Sequence, residues 1–300
     1  MKSFDYDAPW PTPFRRRLYV LRWMAHLELQ NRRESRSLLD PAGPVVSLTS
    51  FGRRIKTVHL TLESIAAGTL RPSRLLLWLD DDRALTNPPA SLRRLARRGL
   101  ELCSCENLGP HKKYFPYLQA QDLFTGPLVT ADDDVLYPSF WLEGLVRAER
   151  ENPHSVHCYR AHLAELEAGE RIGFAPYERW AACASRTPSH LHFSTGCSGV
   201  LFPAPVLRAL KASGDGFRAC CPWADDVWLN LHALRSGFEV AQVTEVPYRF
   251  FGILLTQTSG LFKKNLFGGG NDAALAATFT PDDMRRLLSI SYGTPRSHCA

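Results

Sequence analysis

Short, mostly apolar runs recur through the middle of the chain, and each is long enough for one buried strand. Such runs lie at residues 45–49, 74–79, 100–103 and 128–131. A strand covered on both faces is apolar throughout, so these runs predict a sheet buried between helices. Helical spacing of apolar residues predicts helices at 56–67, 91–98 and 139–150. Strands that alternate with helices indicate βαβ units and a mostly parallel α/β sheet.

The second half of the chain continues this pattern with one interruption. Two more strands are predicted at 155–159 and 238–243, and a helix that ends near residue 236 precedes the second. Residues 160–195 have poor periodicity and are rich in Ala, Glu, His and aromatic residues. A long irregular segment in a compact domain is typical of an insertion that faces the substrate.

The N-terminal region differs in character, and we assign residues 1–44 to a basic leader, 45–275 to the main domain and 276–300 to a tail. A helix is predicted in the leader from residue 14 to about residue 33. Its apolar stripe consists of Phe14, Leu18, Leu21, Ala25 and Leu29. Its arginines are Arg15, Arg16, Arg17, Arg22, Arg32 and Arg33. A basic amphipathic helix can lie on an anionic membrane or pack on its own domain, and the sequence leaves both open.

Three consecutive aspartates, Asp132, Asp133 and Asp134, follow the apolar run at 128–131. Open α/β sheets bind ligands beyond the carboxyl ends of their strands. Adjacent carboxylates repel one another unless a cation offsets their charge, and hard divalent cations prefer oxygen ligands. The triplet therefore favours a Mg²⁺ or Mn²⁺ site for a nucleotide diphosphate, and a solvated acidic turn is the alternative.

A second acidic segment, Asp225 and Asp226, begins the helix that ends near residue 236. Carboxylates in the first turn of a helix offset the helix dipole, which is the simpler explanation of the pair. The other explanation is that one of them is a general base.

Composition narrows the class of protein. The chain has 300 residues, of which 45% are hydrophobic and 22% charged, as in globular proteins with a sizeable core. The formal net charge of +6 allows anionic partners but does not single out nucleic acid. We expect that the protein does not bind nucleic acid. No run approaches the roughly 18 apolar residues of a membrane span, and the start lacks a signal-peptide core. The 8 cysteines form no Cys-x-x-Cys pair, so we expect reduced thiols in the cytoplasm.

Three segments in a fixed order carry a family resemblance. They are Thr-Ala-Asp-Asp-Asp-Val-Leu-Tyr-Pro at 130–138, Gly-Cys-Ser-Gly-Val-Leu-Phe-Pro at 196–203 and Asp-Asp-Val-Trp-Leu at 225–229. In this order they resemble the nucleotide-sugar glycosyltransferases of the GT-A fold, most of all bacterial family-two-like enzymes of capsule or lipopolysaccharide synthesis. The resemblance covers about residues 45–275.

The resemblance implies a single GT-A catalytic domain, with a mostly parallel sheet flanked by helices, and a metal-dependent, inverting glycosyl transfer. It implies a nucleoside diphosphate sugar as donor, with UDP-sugars favoured, and a saccharide or glycolipid hydroxyl as acceptor. Asp132 and Asp134 match the Asp-x-Asp motif that holds Mn²⁺ or Mg²⁺. Asp226 matches the catalytic base, but Asp225 replaces the usual Glu, so the choice between the two stays open. Peripheral association with the inner face of a membrane is compatible with the leader.

The same resemblance, together with positions that follow predicted strands, implies the residues that bind the donor. They are Thr49, Ser50, Phe51, Arg54, Asp80, Asp81, Lys112, Lys113, Asp132, Asp133, Gly199, Asn271 and Asp272. The two lysines follow a Gly-Pro turn and suit phosphates, and a solvated surface is the alternative. Gly199 allows close approach of a ligand or tight packing. The glycine-rich stretch 268–272 predicts a loop that closes over the site.

The chemistry of such a transfer agrees with two separate acidic segments. A divalent ion stabilises the leaving diphosphate, and a carboxylate on the opposite face deprotonates the incoming hydroxyl. The sequence supplies one acidic segment for each task, so the fold must bring them together.

Two other classes of protein remain as alternatives. A nucleotidyltransferase can share the sheet and the metal–phosphate chemistry, but it usually needs a glycine-rich basic loop near the first strand. Residues 50–54 are only a thin candidate for that loop. A non-catalytic protein that binds anions or membranes would account for the arginines of the leader but for neither acidic segment.

Overall fold

The apolar runs form strands in the computed structural model, which describes residues 12–167, 172–254 and 269–293. The strands are β1 (Val45–Thr49), β2 (Arg74–Leu79), β3 (Leu100–Ser104), β4 (Leu128–Ala131), β5 (Val135–Leu136), β6 (Ser155–Cys158), β7 (Ala161–Leu163), β8 (Leu166–Glu167), β9 (Gly173–Phe174), β10 (His192–Ser194), β11 (Val200–Phe202), β12 (Glu239–Gln242) and β13 (Phe251–Gly252). The helices are α1 (Pro13–Arg33), α2 (Val58–Ala66), α3 (Asp82–Thr86), α4 (Ala90–Ala96), α5 (Phe115–Ala120), α6 (Trp141–Glu151), α7 (Ala204–Ala212), α8 (Phe217–Cys220), α9 (Asp225–Arg235), α10 (Gly270–Thr278) and α11 (Pro281–Gly293).

The central sheet has the strand order β12-β6-β11-β4-β1-β2-β3. Strand β1 pairs in parallel with β2 and β4, β2 with β3, and β6 with β12. Strand β11 runs antiparallel to both β4 and β6. The predicted α/β architecture with a mostly parallel sheet is therefore confirmed. The reversal of β11 has a consequence for the site, because it brings the residues before Val200 to the edge where β4 ends.

Helices cover both faces of the sheet because its central strands are apolar on both sides. Leu75 and Leu77 of β2 pack with α1, α2, α4 and α6, whereas Leu76 and Trp78 pack with α5, α7 and α9. This division explains why the run at β2 shows no alternation of apolar and polar residues. In the described ranges, no helix is both long and apolar enough to cross a membrane.

The N-terminal helix packs on the domain, but not through the stripe that its spacing highlights. Its buried side chains include Val20, Trp23 and Leu27, which join the core around α2. The ring of Trp23 meets Phe251 of β13 edge to face, with centroids 6.5 Å apart. The indole offers more apolar area than any leucine of the predicted stripe, so this face is the one that burial stabilises. The predicted stripe lies on the opposite side of the helix and is exposed.

Two further expectations about chain organisation are corrected. Residues 160–195 are not wholly irregular, because β7 pairs with β10 and β8 with β9. The stretch 268–272 is not a loop where it is described, because Gly270 begins α10, and residue 268 lies outside the described residues. Gly269 has a φ of 65°, a left-handed conformation that glycine adopts without strain, and it lets the chain turn into that helix.

Candidate functional site

The two acidic segments meet at the side chain of Lys113. Its Nζ atom lies 2.9 Å from Oδ1 of Asp132, at the end of β4, and 3.1 Å from Oδ2 of Asp225, at the start of α9. Lys113 is buried, which alone would lower its pKa, but Asp132, Asp225 and Asp226 raise that pKa well above its ordinary value. The lysine therefore stays charged and joins the two carboxylate groups that the sequence places far apart.

Lys113 is held in position by the short 3₁₀ helix Gly109–Lys113. His111 in this helix stacks on Phe217 of α8, with centroids 3.9 Å apart, and its Nε2 lies 2.8 Å from the carbonyl oxygen of Cys221. Burial lowers the pKa of His111 to about 4, so its ring is neutral and serves packing. Gly109 has a φ of 57°, and a Cβ there would lie 2.8 Å from the ring of Trp223. The 3₁₀ helix is thus clamped against the segment that leads into α9.

Both predicted phosphate-binding lysines are buried, so the alternative of a solvated lysine surface is wrong. Lys112 pairs with Asp80 at the end of β2, with Nζ 2.8 Å from Oδ1. Asp81, the neighbouring candidate, caps α3 by accepting a hydrogen bond from the backbone N–H of Ala84 at 2.9 Å. Contact of either lysine with a phosphate stays a prediction.

A second cation, Arg54, contacts the other two aspartates of the triplet. Its Nη1 donates to Oδ1 of Asp133 at 2.8 Å, and its Nη2 lies 3.0 Å from Oδ2 of Asp134. Ser50 donates from its hydroxyl to Oδ2 of Asp133 at 2.6 Å. Burial, and then the charge of Asp132, raise the pKa of Asp134 to about 7, while Arg54 opposes the shift. Arg54 therefore does not offset all of the repulsion among the three carboxylates of the triplet.

The remaining residues predicted at the nucleotide edge lie beside this cluster. The guanidinium of Arg54 lies 5.4 Å from the ring centroid of Phe51, whose ring is 40% exposed. Thr49 donates from its hydroxyl to the carbonyl oxygen of Trp78 at 2.9 Å, which ties β1 to β2. The loop after β1 and the end of β4 therefore form one continuous surface, with an exposed aromatic ring next to paired carboxylates.

The other predicted donor contacts have structural partners. Gly199 has a φ of 86°, and a Cβ there would lie 2.6 Å from the indole of Trp141, so tight packing requires glycine. Asn271 and Asp272 lie in the first turn of α10, and Oδ1 of Asp272 accepts a hydrogen bond from the backbone N–H of Tyr177 at 2.7 Å. A role of these three residues in ligand binding stays a prediction.

The two carboxylates at the start of α9 point to different partners. Asp225 is buried and faces Lys113, whereas Asp226 is partly exposed and its Oδ1 accepts a hydrogen bond from the backbone N–H of Gly196 at 3.0 Å. Burial, followed by the charge of Asp225, raises the pKa of Asp226 to about 8, and Lys113 lowers it. A partly exposed carboxylate with a raised pKa is suited to accept a proton near neutral pH.

Three residues near Asp226 were not singled out in the sequence. Arg160 donates from Nη1 to Sγ of Cys197 at 3.3 Å, and although burial would lower the pKa of Arg160, Cys197 and, less strongly, Asp226 raise it. Burial and then Asp226 raise the pKa of Tyr177. Arg160 and Tyr177 belong to the segment of poor periodicity. The only signal for them in the sequence was the expectation that this segment faces the substrate. Cys197 lies within the Gly-x-x-Gly segment before β11, whose two glycines were the signal there.

The negative charge of the carboxylate cluster suits a divalent cation. The predicted ligands Asp132 and Asp134 do not by themselves complete the coordination of a metal ion. Asp132 and Asp134, the predicted ligands, are each paired with a basic side chain. Within the described ranges, no group of three or more His, Cys, Asp and Glu side chains is arranged to hold a metal. The excess of carboxylates over Lys113 and Arg54, and the raised pKa of Asp134, suit a cation that shares its coordination with a bound diphosphate.

Comparison with known proteins gives only distant structural likenesses. No protein-family model and no curated protein matches the chain. Among solved structures, it is similar to a mannosyltransferase from Pyrobaculum calidifontis in complex with GDP-Man and Mn²⁺, with 14% identity, TM-score 0.49 and 91% of this chain and 76% of that chain covered. It is also similar to 4-diphosphocytidyl-2C-methyl-D-erythritol synthase from Anaerococcus prevotii, with 14% identity, TM-score 0.48 and coverage of 77% and 98%.

A third similar structure is a CMP:2-keto-3-deoxy-manno-octonic acid synthetase complexed with CTP, with 11% identity, TM-score 0.40 and coverage of 67% and 88%. The sheet of this chain, with its parallel strands, the reversed β11 and helices on both faces, is consistent with a GT-A-like fold. Function has to be argued from the site itself.

Proposed function

We propose that the chain is a metal-dependent, inverting glycosyltransferase that moves a sugar from a nucleoside diphosphate donor to a hydroxyl of a saccharide or glycolipid. The observation that carries the proposal is the contact of Lys113 with both Asp132 and Asp225. This contact supports the proposal because carboxylates that could hold a metal ion for the donor's diphosphate lie beside a carboxylate pair that could accept the proton of the acceptor's hydroxyl. Both lie at the carboxyl edge of a mostly parallel sheet, where α/β folds bind ligands.

On the donor side, Asp132 and Asp134 would hold Mn²⁺ or Mg²⁺ together with the two phosphates. When bound there, the ion acts as a Lewis acid that stabilises the leaving diphosphate. Arg54 and Ser50 fix the orientation of Asp133, so that the turn of the triplet is rigid before the donor arrives. The exposed ring of Phe51 offers a face on which the nucleobase can stack, and UDP-sugars are the favoured donors.

On the acceptor side, Asp226 is the base. Its Oδ1 is oriented by the N–H of Gly196, and its second oxygen accepts the proton of the acceptor hydroxyl as that oxygen attacks the anomeric carbon. Asp225 stays paired with Lys113 and sets the proton affinity of its neighbour. A single displacement with the base on the face opposite to the leaving group inverts the anomeric configuration.

The test compares Asp226→Asn with Asp225→Asn, using a panel of nucleotide sugars in the presence of Mn²⁺. Asp226→Asn keeps size and polarity but removes the proton acceptor, so turnover should fall by about 10²–10⁴-fold. Nucleotide affinity, measured by thermal shift, should hardly change. Asp122→Asn, at an exposed aspartate, is the matched control. Loss of turnover in Asp225→Asn alone would show that Asp225 is the base and Asp226 its supporting neighbour. Normal turnover in both variants would refute the mechanism.

The nucleotidyltransferase alternative makes a different prediction on the same protein. Such an enzyme usually has a glycine-rich basic loop after the first strand, whereas residues 50–54 contain a single glycine and Arg54 of this loop is engaged by Asp133 and Asp134. We therefore expect no release of pyrophosphate from nucleoside triphosphates mixed with sugar phosphates. Release of pyrophosphate at a rate above that of nucleotide-sugar turnover would favour the alternative.

A further inference from the structure

The outward face of α1 is apolar over most of the helix. Phe14, Leu18, Leu21 and Leu29 are 77%, 40%, 47% and 43% exposed, and Ala25 between them is exposed as well. At 3.6 residues per turn these side chains form one stripe, which extends over about 22 Å of helix. Contiguous apolar surface of this kind is uncommon on soluble proteins and marks a place of interaction.

The helix cannot hide this stripe by rotating, because its other face is fixed. Trp23 packs against Phe251, and Val20 and Leu27 lie in the core. Near the end of the helix, Asn31 donates from Nδ2 to Oε1 of the buried Glu63 at 3.0 Å. Turning the stripe inward would expose the indole and break this hydrogen bond, so the stripe must face outward while the domain is folded.

Arginines border the stripe on both sides. With a turn of 100° per residue, Arg15 and Arg22 lie along one edge and Arg17 along the other, and all three are exposed. The acidic residue of α1 is Glu28, which is already paired with Arg32 at 2.8 Å and with His59 at 2.7 Å. Arginine stems can lie along apolar surface while the guanidinium reaches a charged layer, which is the arrangement of helices at a lipid interface.

We propose that α1 docks the protein on an anionic lipid bilayer, with Phe14, Leu18, Leu21 and Leu29 at the boundary of headgroups and acyl chains. Arg15, Arg17 and Arg22 then contact lipid phosphates. A second copy of this chain is a poorer occupant, since pairing two such stripes brings their arginine edges together with no unpaired acid on either helix. The inference does not rest on the proposed catalytic function, because neither the stripe nor its arginines belong to the site.

The test uses the purified full chain and flotation with vesicles of phosphatidylcholine, either alone or mixed with phosphatidylglycerol. We expect binding to the anionic vesicles only, and loss of most binding at about 0.5 M salt, where the Debye length falls to a few ångströms. The variant Leu18→Gln/Leu21→Gln should weaken binding at least tenfold, because two leucines no longer enter the interface. Leu123→Gln, at a leucine that is 69% exposed elsewhere, should bind as the unaltered protein does.

The charge contribution is tested separately. Arg15→Gln/Arg22→Gln should weaken binding roughly fivefold per arginine, and Arg147→Gln/Arg285→Gln, on other helices, should not. Each variant is compared by its melting temperature, so that a folding defect is recognised. Failure of the unaltered protein to float, or equal binding by the Leu18→Gln/Leu21→Gln variant, would overturn the proposal. A dimer in sedimentation that this variant abolishes, without vesicle binding, would identify a second copy as the occupant instead.

Discussion

The ammonium group of Lys113 lies 2.9 Å from a carboxylate oxygen of Asp132. Because the same ammonium reaches the start of α9, one buried cation ties the metal-binding candidates to the candidate base. A cation in this position reduces the repulsion between carboxylates that must come close to serve one reaction.

Replacing this cation should destabilise the fold. In Lys113→Met, the carboxylates of Asp132 and Asp225 lose their counter-ion, and breaking a buried pair in this way costs about 3 kcal/mol. Urea unfolding measures the change in the free energy of unfolding. Lys56→Met, at an exposed lysine, should stay within about 0.5 kcal/mol of the unaltered protein. Equal stability of Lys113→Met and Lys56→Met would show that the buried pair contributes nothing.

The activity should depend on pH through Asp226. Its pKa is raised to about 8, mainly by burial and by Asp225, against the opposing charge of Lys113. A base acts only when deprotonated, so kcat/KM should rise tenfold per pH unit below about pH 8 and level off above it. Asp225→Asn removes the neighbouring negative charge and should move this limb to lower pH. The pH profile of kcat/KM for both proteins is the measurement, and an unmoved limb would contradict the assignment.

A divalent ion should be required for donor turnover. A chelator should abolish turnover, and Mn²⁺ or Mg²⁺ should restore it, because the diphosphate leaves with negative charge that needs a counter-ion. Calorimetric titration of Mn²⁺ with UDP present gives a second readout that needs no activity. Asp132→Ala and Asp134→Ala should each weaken this binding, while Asp122→Asn should not. Full turnover in excess chelator would remove the metal from the mechanism.

Gly199→Ala should destabilise the protein by about 2 kcal/mol or more. The new Cβ would lie 2.6 Å from the Trp141 indole, and the φ of 86° is strained for any residue with a side chain. Gly126→Ala is the matched control, since a Cβ at Gly126 meets nothing within 4 Å. Thermal and urea unfolding of the two variants check the difference. Similar stability would mean that the backbone around Gly199 relaxes easily.

Much of the sheet can be predicted from the sequence because most of its strands are mostly apolar. The bounds of β1, β2 and β4 agree with the predicted runs. The positions of Asp80 and Asp132 could be predicted as well, because each directly follows one of these strands. The direction of β11 could not be predicted, because three apolar residues carry no information on the orientation of a strand. The 3₁₀ helix that positions Lys113 could not be predicted from the sequence either, because its position depends on the stacking of His111 on Phe217, which is distant in the chain.

The side chains around the candidate base were harder to predict from the sequence than the sheet. Arg160 and Tyr177 interact electrostatically with Asp226, and they come from a segment whose short ladders have no periodic signal. In α1 the apolar periodicity does not decide which face is buried, because the helix has two apolar faces. The stripe that begins at Phe14 and ends at Leu29 lies on one side, and Val20, Trp23 and Leu27 lie on the opposite side. Only contact with Phe251 and α2 decides which face is buried, and that information lies elsewhere in the chain.

The hydrogen bond between Asn31 and Glu63 determines how the chain can be shortened. Glu63 is fully buried, and it is held by Arg98 at 2.5 Å and by Asn31 at 3.0 Å. A protein that starts at β1 would lose Asn31, admit water to this carboxylate and uncover Phe251. Truncation at residue 44 therefore removes part of the hydrophobic core, and soluble expression of the domain that follows should require the chain from Pro13 onward.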